Sequence, residues 1–425
     1  MPESSAQKSF SPPFTLSVPR GIALYIGALL GPGLLLLPGL AARQAGPASI
    51  VAWAALLGVS ALFAVVFAAL GRAHPQANGV AGYTAVGLGR TAGRVAGWCF
   101  LAGVIGGAPV VSLIGAGYVT ALTGGGLLAR GLVAAALLLV VLALALGGVR
   151  ASSTAQLILV ALLIVIIAVA VVGSGRHAHA GNWAPFAPHG GSAIGRAAAT
   201  LMLSFVGWEA VAPLTAQFAD PARQLPRVVG ITLAVTSVLY LGLAVVTIAV
   251  LGTGGGSMAP LADLLRRAIG PAGTAAGAVA AIVLTLGAVN AYVNGAAAMT
   301  GRLLARRPAG APRTAADEGN GRRPARMLLL AAIAGTGLPL IALYGVGLVS
   351  PVSLVAIPTT LFLTVYLGSM LAATRVLRGH GAARLAAIPA TAATAVMLAY
   401  CGWALAVPAA IIMIVTVTGS IRRSR

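Results

Sequence analysis

"GIALYIGALLGPGLLLLPGLAA" (residues 21–42) is long and apolar enough to cross a bilayer, yet its centre reads Gly31-Pro32-Gly33. A helix needs about 20 apolar residues to traverse a ~30 Å hydrocarbon core. Proline removes one backbone N–H and its ring clashes with the preceding turn, while glycine admits dihedrals that no helix uses. Two glycines around a proline are therefore expected to unwind this helix at mid-membrane, not merely to bend it. Irregular backbone at that depth is tolerated only where protein or a wet cavity satisfies its polar groups. The break predicts a cavity.

The rest of the chain is of the same kind. Of 425 residues, 59% are hydrophobic and 8% charged, with a mean hydropathy of +1.00. A soluble domain carries about 25% charged residues, so this chain cannot cover itself with charge. It reads as an all-α polytopic membrane protein of about twelve spans: 20–42, 49–71, 95–122, 131–149, 153–173, 193–217, 228–251, 272–300, 327–347, 352–374, 384–402 and 404–421. The expected organisation is a tail (1–19), a ten-helix core (20–374), two further helices (384–421) and a short tail (422–425). The Pro-, Gly- and charge-rich stretch 301–326 is expected to be a flexible cytoplasmic loop. No short apolar region ending in a cleavage site precedes the first span, so no removable signal peptide is expected.

Charge sets the orientation. With the N-terminus in the cytoplasm, only Arg43, Arg130, Arg176, Arg196, Arg266 and Arg267 fall outside, and the other 21 of 27 basic residues fall inside. That is the positive-inside bias, and it places both termini in the cytoplasm. The net charge of +21 does not point to nucleic acid. The arginines are scattered over separate loops beside span ends, where anionic headgroups attract them, and they lack the clustering of a nucleic-acid footprint. Cys99 and Cys401 fall near opposite membrane faces, too far apart for a disulfide.

A second interruption matches the first. "SFVGWEAVAPL" (204–214) carries Gly207, Glu209 and Pro213 at a comparable depth. Gly33 and Gly207 stand 174 positions apart, in the first and the sixth spans, an offset of five. Five is odd, so the second set of five would run upside down relative to the first. The reading is a 5+5 inverted repeat, about 20–173 and 193–374, with discontinuous helices 1 and 6; paired breaks of this sort mark a secondary transporter's substrate site. Half-helix N-termini suit a carboxylate, and the freed carbonyls of half-helix C-termini suit an ammonium group. A zwitterion fits both. Apart from Glu209 and the arginines at span ends (Arg20, Arg196 and Arg384), no charge lies in the spans to pair with a charged side chain, so a neutral, apolar amino acid is expected.

Glu209 is the one acid of six (Glu3, Glu209, Asp220, Asp263, Asp317, Glu318) placed inside a span. An ionised carboxylate in hydrocarbon is costly, so it is expected either to face the cavity as a proton carrier or to sit protonated against freed backbone; the two are compatible. Other signals are weaker. His177, His179 and His189 share an outer loop, but no Cys or acid completes a metal set. Asp263, Arg266 and Arg267 fit a short amphipathic outer helix or a solvated loop. No phosphate loop, catalytic triad, paired carboxylates or cofactor motif is present, so neither an enzyme nor a cofactor is expected.

Longer segments carry a family resemblance. "GPGLLLLP" (31–38), "LGRAHPQANGVAGYTAVGLG" (70–89), "GGVRASSTAQL" (147–157) and "FVGWEAVAPLTAQFADPARQLPR" (205–227) resemble the amino acid–polyamine–organocation superfamily. Within it they are most similar to bacterial exporters of methionine and branched-chain amino acids. The resemblance extends over about 20–380, with "GAVNAYVNGAAAMTGRLL" (287–304) and "YLGSMLAATRVL" (366–377). It implies alternating access in a bacterial cytoplasmic membrane. The substrate carboxylate would meet amides at Gly31, Gly33 and Leu34, and its amino group carbonyls at Leu29, Leu203 and Val206. Ser204 and Gly207 belong to the same broken turn, and Asn290, Thr359 and Thr360 fall where the pocket wall is implied. Glu209 matches a glutamate implicated in proton sensing in arginine–agmatine antiporters. Two departures stand out: Pro32 replaces the usual Ser or Thr, and Leu203 replaces the antiporters' gating tryptophan, which argues against a cationic substrate.

The expectation is a proton-driven exporter, an antiporter of neutral amino acids in the lipid bilayer, with the proton as coupling ion. The alternatives are an uptake permease on the same fold and a non-transporting membrane sensor or scaffold. The topology is directly testable: a single cysteine introduced between residues 301 and 326 should react with an impermeant maleimide only from the cytoplasmic side of sealed vesicles. Labelling from outside would invert the assignment.

Overall fold

The computed structural model describes residues 16–31, 33–74, 77, 79–147, 153–210, 218–254, 257–304 and 315–421. The expectations about Pro32, Pro213, most of the N-terminal tail, residues 148–152, the middle of the 301–326 loop and the tail 422–425 lie outside the described residues. Within them the chain is helical. In order it forms α1 (Val18–Leu29), α2 (Gly33–Ala45), α3 (Ser49–Ala73), α4 (Val80–Leu88), α5 (Arg90–Thr123), α6 (Leu127–Leu146), α7 (Ser153–Ser174) and α8 (Gly191–Leu201). The second part continues with α9 (Pro221–Val246), α10 (Pro260–Ile269), α11 (Pro271–Leu304), α12 (Ala315–Gly345), α13 (Pro351–Val376), α14 (Gly381–Ala399) and α15 (Ala406–Ile421). A single parallel bridge joins Leu16 to Phe218, and the described residues form no sheet.

Both expected interruptions are present. The first span splits into α1 and α2, and the sixth leaves α-helical geometry after Leu201, passing through 3-10 turns at Met202–Phe205 and Trp208–Ala210. Nine helical stretches among the described residues are long and apolar enough to cross a membrane, the first running unbroken in hydropathy from Gly33 to Ala73. The repeat is visible in element lengths. After the first break come helices of 25, 9 and 34 residues (α3, α4, α5); after the second come helices of 26, 10 and 34 (α9, α10, α11). An odd number of crossings separates the halves, so the short helices α4 and α10 fall on opposite faces of the membrane.

Local signals explain where the second-half helices begin. In "DPAR", Asp220 caps α9 by accepting from Arg223 N at 3.2 Å, with Pro221 at the first helical position. In "SPVS", Ser350 Oγ accepts from Ser353 N at 3.2 Å ahead of α13, again with proline next. A polar cap followed by proline satisfies an orphan N–H and needs none itself. At the centre runs α5, packed against α4, α6, α11, α12 and α13. Its glycines let neighbours close in, as membrane helices require when no hydrophobic force draws them together. A Cβ at Gly115 would lie 2.6 Å from Thr285 Oγ1 of α11, and one at Gly103 would lie 3.2 Å from the Phe362 ring of α13.

Three segments outside the twelve expected spans take helical form, among them the short amphipathic helix that was one of the two readings of Asp263, Arg266 and Arg267. α4 lies inside 70–89, and α10 is a folded amphipathic helix that buries Leu261, Leu264 and Leu265 while Asp263 Oδ2 accepts from Ser257 N at 2.7 Å. The stretch 301–326 continues α11 to Leu304 and joins α12 from Ala315, where "AADEG" supplies helix formers and first-turn acids. α4 is seated by contact: a Cβ at Gly87 would lie 2.6 Å from Ala372 Cα of α13, against backbone that cannot yield. Gly87→Leu should lower stability by about 1–3 kcal/mol, read as an earlier thermal transition in detergent. Gly58→Ala, where nothing lies within 4 Å, should not lower it.

Candidate functional site

The two breaks lie against each other. α1 ends at Leu29, whose carbonyl takes back Gly31 N at 2.7 Å, and Leu34 N then reaches Gly31 O at 3.1 Å to start α2. Gly207 faces this turn with φ +144°, and a Cβ there would lie 2.5 Å from Ala28 O. Only glycine meets both conditions. Tyr240 of α9 ties the breaks together: its hydroxyl reaches Leu29 O at 2.7 Å and Ser204 O at 2.8 Å. The ring is held edge-on by Trp53 (5.3 Å) and Phe205 (5.2 Å).

A cavity opens where the breaks meet α5, α11 and α13. It is lined by Gly31 and Gly33 from the first break and by Leu203 and Val206 from the second. α5 contributes Gly103, Val104, Gly107, Ala108 and Val111; α11 contributes Ala288, Val289 and Tyr292; α13 contributes Phe362. The empty space among these residues is about 590 Å³, part of it continuous with the outside. Among the described residues no charged side chain lines it. Tyr292 packs on Phe362 with centroids 6.2 Å apart, and its hydroxyl makes a long contact, 3.5 Å, with Val206 O.

Glu209 stands just beyond this wall, half-buried in the second broken turn. Its Oε2 accepts from Gly207 N at 2.8 Å and from the Tyr366 hydroxyl of α13 at 2.5 Å, and Gly207 N also lies 3.2 Å from that hydroxyl. The Tyr366 ring is wedged edge-on against Phe63 (4.8 Å) and Phe67 (5.2 Å) of α3. The neighbouring Trp208 points elsewhere: it is fully buried and donates from Nε1 to Ser60 Oγ at 2.7 Å. This turn is therefore pinned to α3 on one side and to α13 on the other.

Of the residues singled out in the sequence, Gly31, Gly33, Leu203 and Val206 line the cavity. Leu29, Leu34, Ser204 and Gly207 are buried at the breaks behind it, and Glu209 is linked to it through Gly207. Asn290 is buried on α11 and is not in the lining. Thr359 and Thr360 are buried on α13, their hydroxyls returned to Val355 O and Ala356 O at 2.7 Å, and neither lines the cavity. The tyrosines at 240, 292 and 366, Phe362 and the α5 glycines were not singled out. The tyrosines had a signal: a phenol inside an apolar span must find a partner. No metal-binding group of three His, Cys, Asp or Glu occurs among the described residues, and both cysteines are free.

A helical bundle with two apposed breaks and a cavity between them defines the class, a transporter of the 5+5 inverted-repeat fold. The whole architecture superposes on that of MhsT in complex with L-phenylalanine, with a TM-score of 0.64 over 95% of this chain and 99% of that one at 15% identity. The chain belongs to the amino acid permease family of the amino acid–polyamine–organocation superfamily, which matches residues 16–422. It is 30% identical to the uncharacterized amino acid permease YecA of Bacillus subtilis, with 92% of each chain covered. It is 33% identical to the L-methionine/branched-chain amino acid exporter YjeH of Escherichia coli over 55% of this chain and 56% of that one. The protein is a membrane transporter and not an enzyme.

Tyr240→Phe should remove the one hydroxyl proton within reach of both Ser204 O and Leu29 O, costing about 1–3 kcal/mol for the buried group left unpaired. The check is thermal stability in detergent alongside ligand-induced stabilisation, both of which should fall.

Proposed function

We propose that the protein carries neutral, apolar amino acids across the cytoplasmic membrane by alternating access, exporting them in exchange for protons, with both termini in the cytoplasm. The observation that carries this reading is the apolar cavity at the meeting of two helix breaks, with backbone polar groups at one side and, among the described residues, no charged side chain in its lining. The backbone side suits the carboxylate and ammonium groups common to all amino acids, and the walls of Val104, Val111, Val289 and Phe362 suit an aliphatic or thioether side chain. A cationic side chain would enter without a counter-charge, which is costly in a desolvated site. Similarity to an exporter of methionine and branched-chain amino acids supports both the substrate class and the direction.

In this reading residues 20–374 are the transport core and 384–421 an added helix pair. The substrate lies among Leu29, Gly31, Gly33, Leu34, Leu203, Ser204, Val206 and Gly207, with Asn290, Thr359 and Thr360 behind the wall. Glu209 couples the proton. Ionised, it accepts from Tyr366 and from the Gly207 amide. A proton on it removes the charge those donors face, which loosens the second break from α13 and lets the two move apart. Export then follows from proton entry in the opposite direction.

The deciding experiment is counterflow in proteoliposomes preloaded with methionine, leucine, arginine or no amino acid, with labelled methionine uptake followed at acidic and neutral pH. Exchange is expected with methionine and leucine and not with arginine. Equal exchange with arginine would remove the apolar reading, and no exchange with any of them would remove amino acid transport. Glu209→Gln should keep substrate binding and lose the pH dependence of flux. An unchanged pH profile in that variant would exclude Glu209 from coupling.

A further inference from the structure

We propose that the Tyr118 hydroxyl latches the outer side of the cavity: it fastens α2 and α10 to α5, and both of its bonds must part before substrate can leave outward. This rests on the alternating-access reading and the orientation given above.

The latch is built on one dipeptide. In "GAGYVT" (115–120), Gly117 and Tyr118 lie on α5 beyond the cavity wall. Tyr118 stands seven residues past the lining residue Val111, which is about 10 Å along a helix rising 1.5 Å per residue. It is fully buried. Its hydroxyl donates to Leu35 O of α2 at 2.8 Å and accepts from Leu261 N of α10 at 3.2 Å. Leu35 comes two residues after Gly33, where α2 leaves the cavity. The phenol therefore crosses between two helices that both line the cavity and both run outward from it.

The bond to α10 replaces a missing cap. A helix start leaves its first amides without partners, and an oxygen on the N-cap side chain commonly answers one of them. Ala259, at that position of α10, has no such oxygen, and Pro260 follows it. Leu261 N is answered from another helix instead, by Tyr118. The segment ahead of α10 arrives at the same place. A Cβ at Gly117 would lie 3.2 Å from Met258 O and 3.5 Å from Met258 Cβ, so only a bare α5 lets that backbone settle there. Leu261, Leu264 and Leu265 are buried beneath α10, which makes it a seated roof and not a solvated loop. α2 and α10 thus share one oxygen as an attachment to α5. Moving either away strips a bond from that oxygen, so the departure of α2 and the lifting of α10 are tied together.

The test uses the full chain in sealed membrane vesicles of both orientations, with Cys99 and Cys401 replaced by alanine and a single reporter, Val111→Cys, in the cavity lining. The reading is the rate of its reaction with a membrane-impermeant methanethiosulfonate from outside, divided by the rate from inside. Tyr118→Phe keeps the ring and removes both bonds, and this ratio should rise roughly five-fold, the scale of one net hydrogen bond. Gly117→Ala, which pushes on Met258 O, should move the ratio the same way, and it decides the matter where Tyr118→Phe does not fold. Gly58→Ala, with nothing within 4 Å, is the control and should leave the ratio unchanged. An unchanged ratio in Tyr118→Phe overturns the proposal, as does a shift toward labelling from inside. Equal acceleration from both sides, with an earlier thermal transition, assigns the tyrosine to general stability and overturns it as well. A reporter in otherwise unaltered protein that is reached from one side only, with and without methionine, sinks the alternating-access reading. A reporter reached from both sides, beside an unchanged ratio in Tyr118→Phe, sinks this inference alone.

Discussion

Backbone polar groups freed inside the membrane dominate this structure. An unpaired amide or carbonyl in hydrocarbon costs several kcal/mol, and the chain breaks its helices at that depth twice. The groups that answer are tyrosine hydroxyls reaching in from other helices. Tyr240 of α9 serves Leu29 O and Ser204 O, Tyr292 of α11 approaches Val206 O, and Tyr366 of α13 meets Gly207 N and Glu209. Tyr118 of α5 does the same further out, donating to Leu35 O of α2 at 2.8 Å and accepting from Leu261 N of α10 at 3.2 Å. A tyrosine suits this work because its ring packs as core while its tip carries a polar group. Threonine and serine within a helix can instead bond to their own preceding turn, as Thr359, Thr360 and Ser112 do here.

This division of labour separates what was legible in the sequence from what was not. Gly31, Gly33 and Gly207 were legible because a break needs residues that tolerate unusual dihedrals, and the odd offset of five spans carried the inverted repeat. Glu209 was legible because charge in a span is conspicuous. The tyrosines were passed over because spacing and charge do not register a polar tip on an apolar body. Thr359 and Thr360 drew attention through family likeness, which gives depth along α13 and not the direction in which a hydroxyl is spent. The short helices were hard to read for another reason. α4 is too brief to span, and its packing on α13 is decided by a residue nearly three hundred positions away.

The second break also has the means to report on its surroundings. Trp208 anchors it to Ser60 of α3, and Glu209 anchors it to Tyr366 of α13, with Gly207 N shared between carboxylate and phenol. The first anchor is neutral and the second includes an ionisable group. Under the proposed coupling, a change in its charge would act on one side of the turn and leave the other in place. Gly207, whose φ other residues do not adopt easily, lies between the two anchors.

The cavity itself limits how selective such a protein could be. Its walls are glycine, alanine, valine and two aromatic rings, with polar groups confined to the breaks. A hydrophobic wall distinguishes side chains by only about 1–3 kcal/mol per methylene, so methionine, leucine and their close relatives would be graded and not separated. Against a charged side chain the same wall is far more discriminating, because no counter-charge is present to offset desolvation. Leu203, at the mouth of the second break, adds to the apolar wall without closing it as a larger ring would. Under the proposed function, breadth among neutral substrates and exclusion of cationic ones would be a single physical property, set by the apolar lining and not by any one contact.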